Sequence, residues 1–128
     1  MIKLTYCLHR LPSLTREEFQ RYWRETHAPL VAAAGPALGI RRYVQCHTYE
    51  SEIAFGTAAG RDMPHGEGED FDGVAELWFD SEESVAALLG DEEGLRQAHI
   101  LLEDERNFID FARSRAFIVR EHVVVGQS

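Results

Sequence analysis

His27 is the side chain whose neighbours best equip it to move a proton. It lies in the stretch TREEFQRYWRETHAPLVAAA over 15–34, where Phe19, Trp23, Thr26 and Leu30 recur at helical spacing as one apolar stripe. His27 stands one turn after Trp23, at the edge of that stripe, and so points toward the core boundary. Pro29 follows two residues on; it lacks an N–H and frees the carbonyl of Glu25, which predicts a kink beside the histidine. A kinked helix with an imidazole on the rim of a buried face is what a pocket wall looks like. The alternative is a core histidine satisfied by its own hydrogen bonds.

A second group with acid–base potential is Glu76, between Val74 and Trp78 on one face of a strand. Apolar neighbours would desolvate the carboxylate and raise its pKa, leaving a neutral acid to donate a proton while His27 removes one. That pairing suits proton abstraction beside a carbonyl, tautomerisation or loss of water. The structural alternative is a salt bridge from Glu76 to Arg42 or Arg120. Tyr43, Gln45 and His47 alternate onto one strand face and are expected to line the same cavity, with Trp23 and Trp78 as its aromatic walls and Tyr43 orienting a carbonyl or phenol. A plain polar strand edge would use the same residues. His9 and His65 read as solvated, and His122 as a packing or interface residue.

His27, His47, Glu76 and His122 are acceptable metal ligands by type, but no short ligand motif joins them, so no metal is expected. No glycine-rich phosphate loop, nucleophile elbow or haem signature is visible, and cofactor-independent chemistry is the expectation. A net charge of −9 and a pI near 5.1 argue against nucleic acid and against an anionic membrane surface. No apolar run reaches the roughly 18 residues of a membrane-spanning helix, and the N-terminus lacks a signal-peptide pattern. Cys7 and Cys46 read as reduced thiols of a cytoplasmic protein, the alternative being a bridge between them, which only geometry decides.

The elements that must position these residues follow from periodicity. Alternation predicts strands over 2–9, 40–49, 72–79 and 115–125. Thr15 with Glu18 forms a capping box that opens the first helix, and Gly35 with Pro36 is expected to stop it. Ser81 caps a second helix, with Gly90 at its end, and 92–107 continues helically but less regularly. The order is βαββαβ over a single domain, 1–128, large enough to bury a core without disulfides. Between the second and third strands, 50–71 holds six acids (Glu50, Glu52, Asp62, Glu67, Glu69, Asp70) against the single base Arg61. Ile53, Ala54 and Phe55 are expected to dock, and 63–70 to be mobile, so that this connection is a lid, an arm or disordered. The third strand is apolar on both sides, Ala75, Leu77 and Phe79 against Val74 and Trp78, and two helices cover only one. The other face therefore calls for a second copy of the chain.

Four separated segments, F-x-x-Y-W-x-x-x-H-A-P-L at 19–30, R-R-Y-V-Q at 41–45, D-G-V-A-E-L-W-F-D-S at 72–81 and E-H at 121–122, together resemble the EthD family. The resemblance implies an α+β, ferredoxin-like fold with a four-stranded antiparallel sheet, and a dimeric α+β barrel. It also implies His27 and Pro29 on the first helix and Glu76 on the third strand as family positions. The family's namesake lies in a bacterial ether-degradation system with a cytochrome P450, which gives the family its oxidoreductase association. Other members are linked to dehydration or decarboxylation in polyketide pathways. Three functions follow as expectations: acid–base catalysis on a small hydrophobic carbonyl or aromatic compound, a binding accessory that holds such a compound for a monooxygenase, and a haem- or oxygen-dependent oxidoreductase.

Overall fold

The computed structural model describes residues 1–126; residues 127 and 128, which the expected domain of 1–128 includes, lie outside the described residues. Four strands, β1 (Ile2–Leu8), β2 (Arg42–His47), β3 (Gly73–Phe79) and β4 (Arg115–Val119), form one sheet in the order β2-β3-β1-β4. All three neighbouring pairs are antiparallel, and β1 is paired on both sides, Leu4 standing between Leu77 and Ile118. This is the ferredoxin-like βαββαβ arrangement. The last strand stops at Val119 rather than at 125: Val119 already pairs with Lys3, one residue after the start of β1, so most of 120–125 runs past the end of its partner strand.

Alternation sorts the sheet into two faces. Ile2, Leu4, Tyr6, Leu8, Ala75, Leu77, Phe79 and Tyr43 face the helices and build the core with Phe19, Trp23 and the fully buried Phe108. Lys3, Thr5, Cys7, Arg42, Val44, Cys46, Val74, Glu76 and Trp78 occupy the opposite face, which no helix among the described residues covers. Cys7 and Cys46 both pair with Val74 from opposite sides. They are thus two strand spacings apart, roughly 10 Å, beyond the reach of a disulfide; both thiols are free.

The first helix is one rod with a wide turn in its middle. The α1 segment (Arg16–Tyr22) opens on the Thr15–Glu18 capping box, a π-helical turn runs over Trp23–His27, and α2 (Ala28–Leu38) continues from it. In the wide turn Ala28 N–H reaches the carbonyl of Trp23, five residues back. Pro29 sits at the start of α2, where its missing N–H costs least. The wide turn has a consequence for the buried stripe. An α-helix drifts off a strict four-residue repeat, but a turn holding an extra residue restores it, so Phe19, Trp23, His27 and Val31 are all buried. Thr26, expected in the stripe, is exposed, and His27, expected at its edge, is in it. Gly35 and Pro36 do not end the helix. It runs to Leu38, and Gly39 in the left-handed conformation (φ 70°) terminates it, with the Gly39 and Ile40 N–H groups both on the Gly35 carbonyl.

Two helices, α4 (Glu82–Leu89) and α5 (Glu92–Glu105), complete the layer after α3 (Glu52–Ala59), which lies in the acidic connection. The α3 helix is capped by Ser51 and buries no residue against its own chain; Ile53 is 83% and Phe55 57% exposed. The expectation that this segment docks is therefore corrected. Phe55 meets the His65 ring edge-on, at 4.4 Å between ring centres. At the base of the connection, Asp72 is almost wholly buried and accepts from Arg10 and Arg16, bonds that hold its carboxyl below the usual range against the opposing effect of burial. His9, expected to be solvated, is buried beside it with its ring against Phe71, because the Arg10 backbone is drawn in to Asp72.

Candidate functional site

A cavity of about 60 Å³ lies between the sheet and the helical layer. Its polar walls are Tyr6 from β1, His27 from the π-turn, Tyr43 from β2 and Glu105 from the end of α5, set among Trp23, Leu77 and other apolar side chains. The wide turn presents His27, the strand alternation presents both tyrosines to the helices, and α5 carries Glu105 in on its inner face, in line with Gly94, Ala98 and Leu101.

The hydrogen bonds fix the imidazole. His27 Nδ1 lies 2.7 Å from Asp104 Oδ2, and an ionised carboxylate only accepts, so Nδ1 carries the proton and Nε2 offers a lone pair. Asp104 is held in turn by the Tyr22 hydroxyl at 2.6 Å and by Asn107. Burial works against the Asp104 charge, yet the bonds from Tyr22 and His27 hold its pKa below the ordinary value. His27 is 4% exposed, and burial pushes its pKa down despite Asp104, favouring the neutral ring. Its Nε2 stands 3.7 Å from Glu105 Oε2, beyond a hydrogen bond. Glu105 is pushed up to about 7, first by burial and then by the Asp104 charge beside it. Burial also raises both phenols, Tyr6 to about 12. The arrangement is a neutral, oriented base facing a carboxyl that exchanges its proton near neutrality, in a largely apolar pocket.

Of the residues singled out from sequence, His27, Trp23 and Tyr43 meet around this cavity. Gln45 and His47 stand on the same sheet face but one step behind it. Gln45 Nε2 donates to the Trp23 carbonyl at 3.0 Å and to the Tyr43 hydroxyl at 2.8 Å, while its Oε1 lies 2.8 Å from His47 Nε2. His47 stacks on Trp23 with ring centres 4.6 Å apart. Glu76 and Trp78 lie on the opposite face of the sheet, so Glu76 is not brought to His27. Nor is its pKa raised: the Lys3 ammonium at 2.6 Å holds it below the ordinary range, against some burial, and Arg42 adds to the effect. Neither of the expected salt-bridge partners makes the bond, because Lys3 sits beside Glu76 on the neighbouring strand.

Tyr6, Asp104 and Glu105 were not singled out from sequence. Glu105 left a signal: it occupies the position in α5 where the inner-face spacing 94, 98, 101, 105 calls for an apolar residue. Tyr6 left none, because a tyrosine in an alternating strand reads as core.

The family model for the EthD domain matches residues 11–112. Among solved structures, an ethyl tert-butyl ether D (EthD) family protein from Bacillus halodurans C-125 is similar at 22% identity and a TM-score of 0.61, over 95% of this chain and 99% of that one. An EthD-like protein from Ralstonia eutropha JMP134 is 18% identical with a TM-score of 0.61, over 99% and 95% of the two chains. A protein from Arabidopsis thaliana has the same fold at 14% identity and a TM-score of 0.55, over 98% and 99%. No curated protein matches the sequence. With the family model spanning most of the chain and the histidine helix, second strand and third strand all inside the match, the chain belongs to the EthD domain family.

Proposed function

We propose that this protein is a cofactor-independent acid–base catalyst acting on a small hydrophobic carbonyl or aromatic compound, by tautomerisation or a related proton-transfer step such as dehydration. The observation that carries the reading is the Asp104–His27 pair with Nε2 turned toward Glu105 across a buried cavity. His27 Nε2 takes a proton from carbon beside the carbonyl. Glu105, poised near neutrality, exchanges a proton with the same substrate. Each step is a proton transfer that these side chains perform themselves. Decarboxylation fits less well, since none of the lining residues is Lys or Arg to receive a carboxylate.

The working unit in this reading is a homodimer. Val44, Val74, Trp78 and Phe117 lie on the sheet face that the chain leaves open, and Phe117 is 47% exposed. A second copy covers that face and completes a barrel, with Trp78 and Glu76 at the interface rather than in the pocket.

Deuterium exchange tests the chemistry. Acetophenone in D₂O, followed by proton NMR, should lose its methyl proton signal faster with protein than in buffer. His27→Ala should remove about 10²- to 10⁴-fold of that acceleration, the range of general acid–base roles. A ketone that binds without exchanging would make the protein a holder of the compound for another enzyme instead.

A further inference from the structure

We infer that Tyr6 and Tyr43 form a paired donor site for one substrate oxygen, and that the pocket therefore selects an uncharged ketone or phenol entering oxygen-first. This rests on the acid–base reading of His27 and names what that reading leaves open, the group that receives the developing negative charge.

The argument starts with where the phenolic protons go. The Gln45 amide orientation is set by its partners: the Trp23 carbonyl can only accept, so the nitrogen faces it, and the same nitrogen donates to the Tyr43 hydroxyl. Tyr43 oxygen is thus an acceptor toward Gln45, and its own proton has no acceptor among the described residues. The Tyr6 hydroxyl has no hydrogen-bond partner among the described residues either, whereas the half-buried Tyr22 donates its proton to Asp104. Yet no sealed-off side-chain polar atom in the described residues lacks a partner. The Tyr6 oxygen therefore opens onto the cavity that both tyrosines line. Tyr6, Tyr43 and Glu105 all line that one cavity.

Two O–H donors and a neutral base around one small cavity match the demands of enolisation. His27 Nε2 takes the proton from the carbon beside the carbonyl, and the electron pair of that C–H bond becomes the new C=C bond. The carbonyl π pair moves to oxygen, where the Tyr6 and Tyr43 protons meet it. Return of the proton from His27 to oxygen or to another carbon completes a tautomerisation with no change of oxidation state. Donors aimed at a developing oxyanion in a low-dielectric site act more strongly on the transition state than on the ground state. The same walls disfavour anions: Glu105 lines the pocket, Asp104 stands directly behind His27, and none of the lining residues is Lys or Arg. At about 60 Å³ the cavity admits the reacting end of a molecule, the remainder extending through its mouth.

Ligand-observed NMR titrations with three probes of similar shape test the pair. Acetophenone offers a carbonyl oxygen, α-methylstyrene replaces that oxygen with CH₂, and benzoate carries a charge. The pair predicts acetophenone binding tighter than α-methylstyrene despite its lower hydrophobicity, and tighter than benzoate. Tyr6→Phe and Tyr43→Phe should each weaken acetophenone about three- to tenfold, one neutral hydrogen bond apiece, and leave α-methylstyrene within about twofold. His27→Ala should retain the preference for acetophenone while losing exchange, which separates oxygen binding from proton removal. Equal binding of acetophenone and α-methylstyrene, no binding of acetophenone, preferred binding of benzoate, or Phe variants that keep full affinity would each overturn the assignment. Failure of exchange with the preference intact would instead count against His27 as the base.

Discussion

Glu105 carries a cost that the rest of the pocket does not relieve. Its carboxyl has an ordinary value of 4.5 and is raised to about 7 in the folded chain, with a side chain only 22% exposed. Between those two pH values the folded protein keeps a proton that the unfolded chain releases. The stability tied to that proton is fully present below 4.5 and is lost as pH rises through 7. From pH 5 to pH 8 the loss attributable to this one group is roughly 2 to 3 kcal/mol. Glu105→Gln, which keeps the shape and cannot ionise, should be close to wild type in urea unfolding at pH 5 and more stable at pH 8. An identical pH dependence in the two proteins would place Glu105 in contact with solvent. At this scale the sequence was legible where a residue broke a pattern, as His27 and Pro29 do. It was misleading at Glu76, because the identity of a cross-strand neighbour, Lys3, decided the sign of the shift and periodicity does not give register.

Among the elements, the two inner helices meet through a glycine. A Cβ at Gly94 would lie 1.8 Å from the Leu88 carbonyl oxygen, so α5 can start where it does only because position 94 has no side chain. Gly94→Ala should cost more than about 2 kcal/mol, the upper part of the range for overpacking. Gly35→Ala, inside α2 with open space around it, should leave stability unchanged or raise it by about 0.5–1 kcal/mol. Thermal melts of the pair separate a packing requirement from a general preference for alanine in helices. The first helix, α4, α5 and all four strands were legible from capping residues and alternation, since those signals are local, while α3 was not read as a helix. The π-turn, the end of β4 and the exposure of α3 were not. The first two depend on which strand or turn lies alongside, and the third on what α3 packs against, which leaves Ile53 and Phe55 exposed among the described residues.

For the molecule as a whole, the uncovered sheet face is the dominant surface feature. Light scattering at micromolar concentration should return about twice the 14.5 kDa chain mass. Phe117→Glu, on the open face beside Thr5, should shift the protein toward monomer by placing a charge where the proposed dimer would bury it. A soluble wild-type monomer would remove the barrel, and with it the role proposed for Val44, Val74, Trp78 and Phe117 on that face. The wide turn at Trp23–His27 carries a different consequence. Because it holds one residue more than a turn of α-helix, the site depends on a count as well as on identities. Removing any single residue from it would rotate everything on one side by about 100° relative to the other. Phe19 and Trp23 could then stay in the core only by swinging His27, Val31 and Ala34 toward solvent, or the reverse. The place of His27 thus rests on chain length: a one-residue deletion in this turn should carry it away from the cavity, so the reading frame of the stripe is itself part of the candidate site.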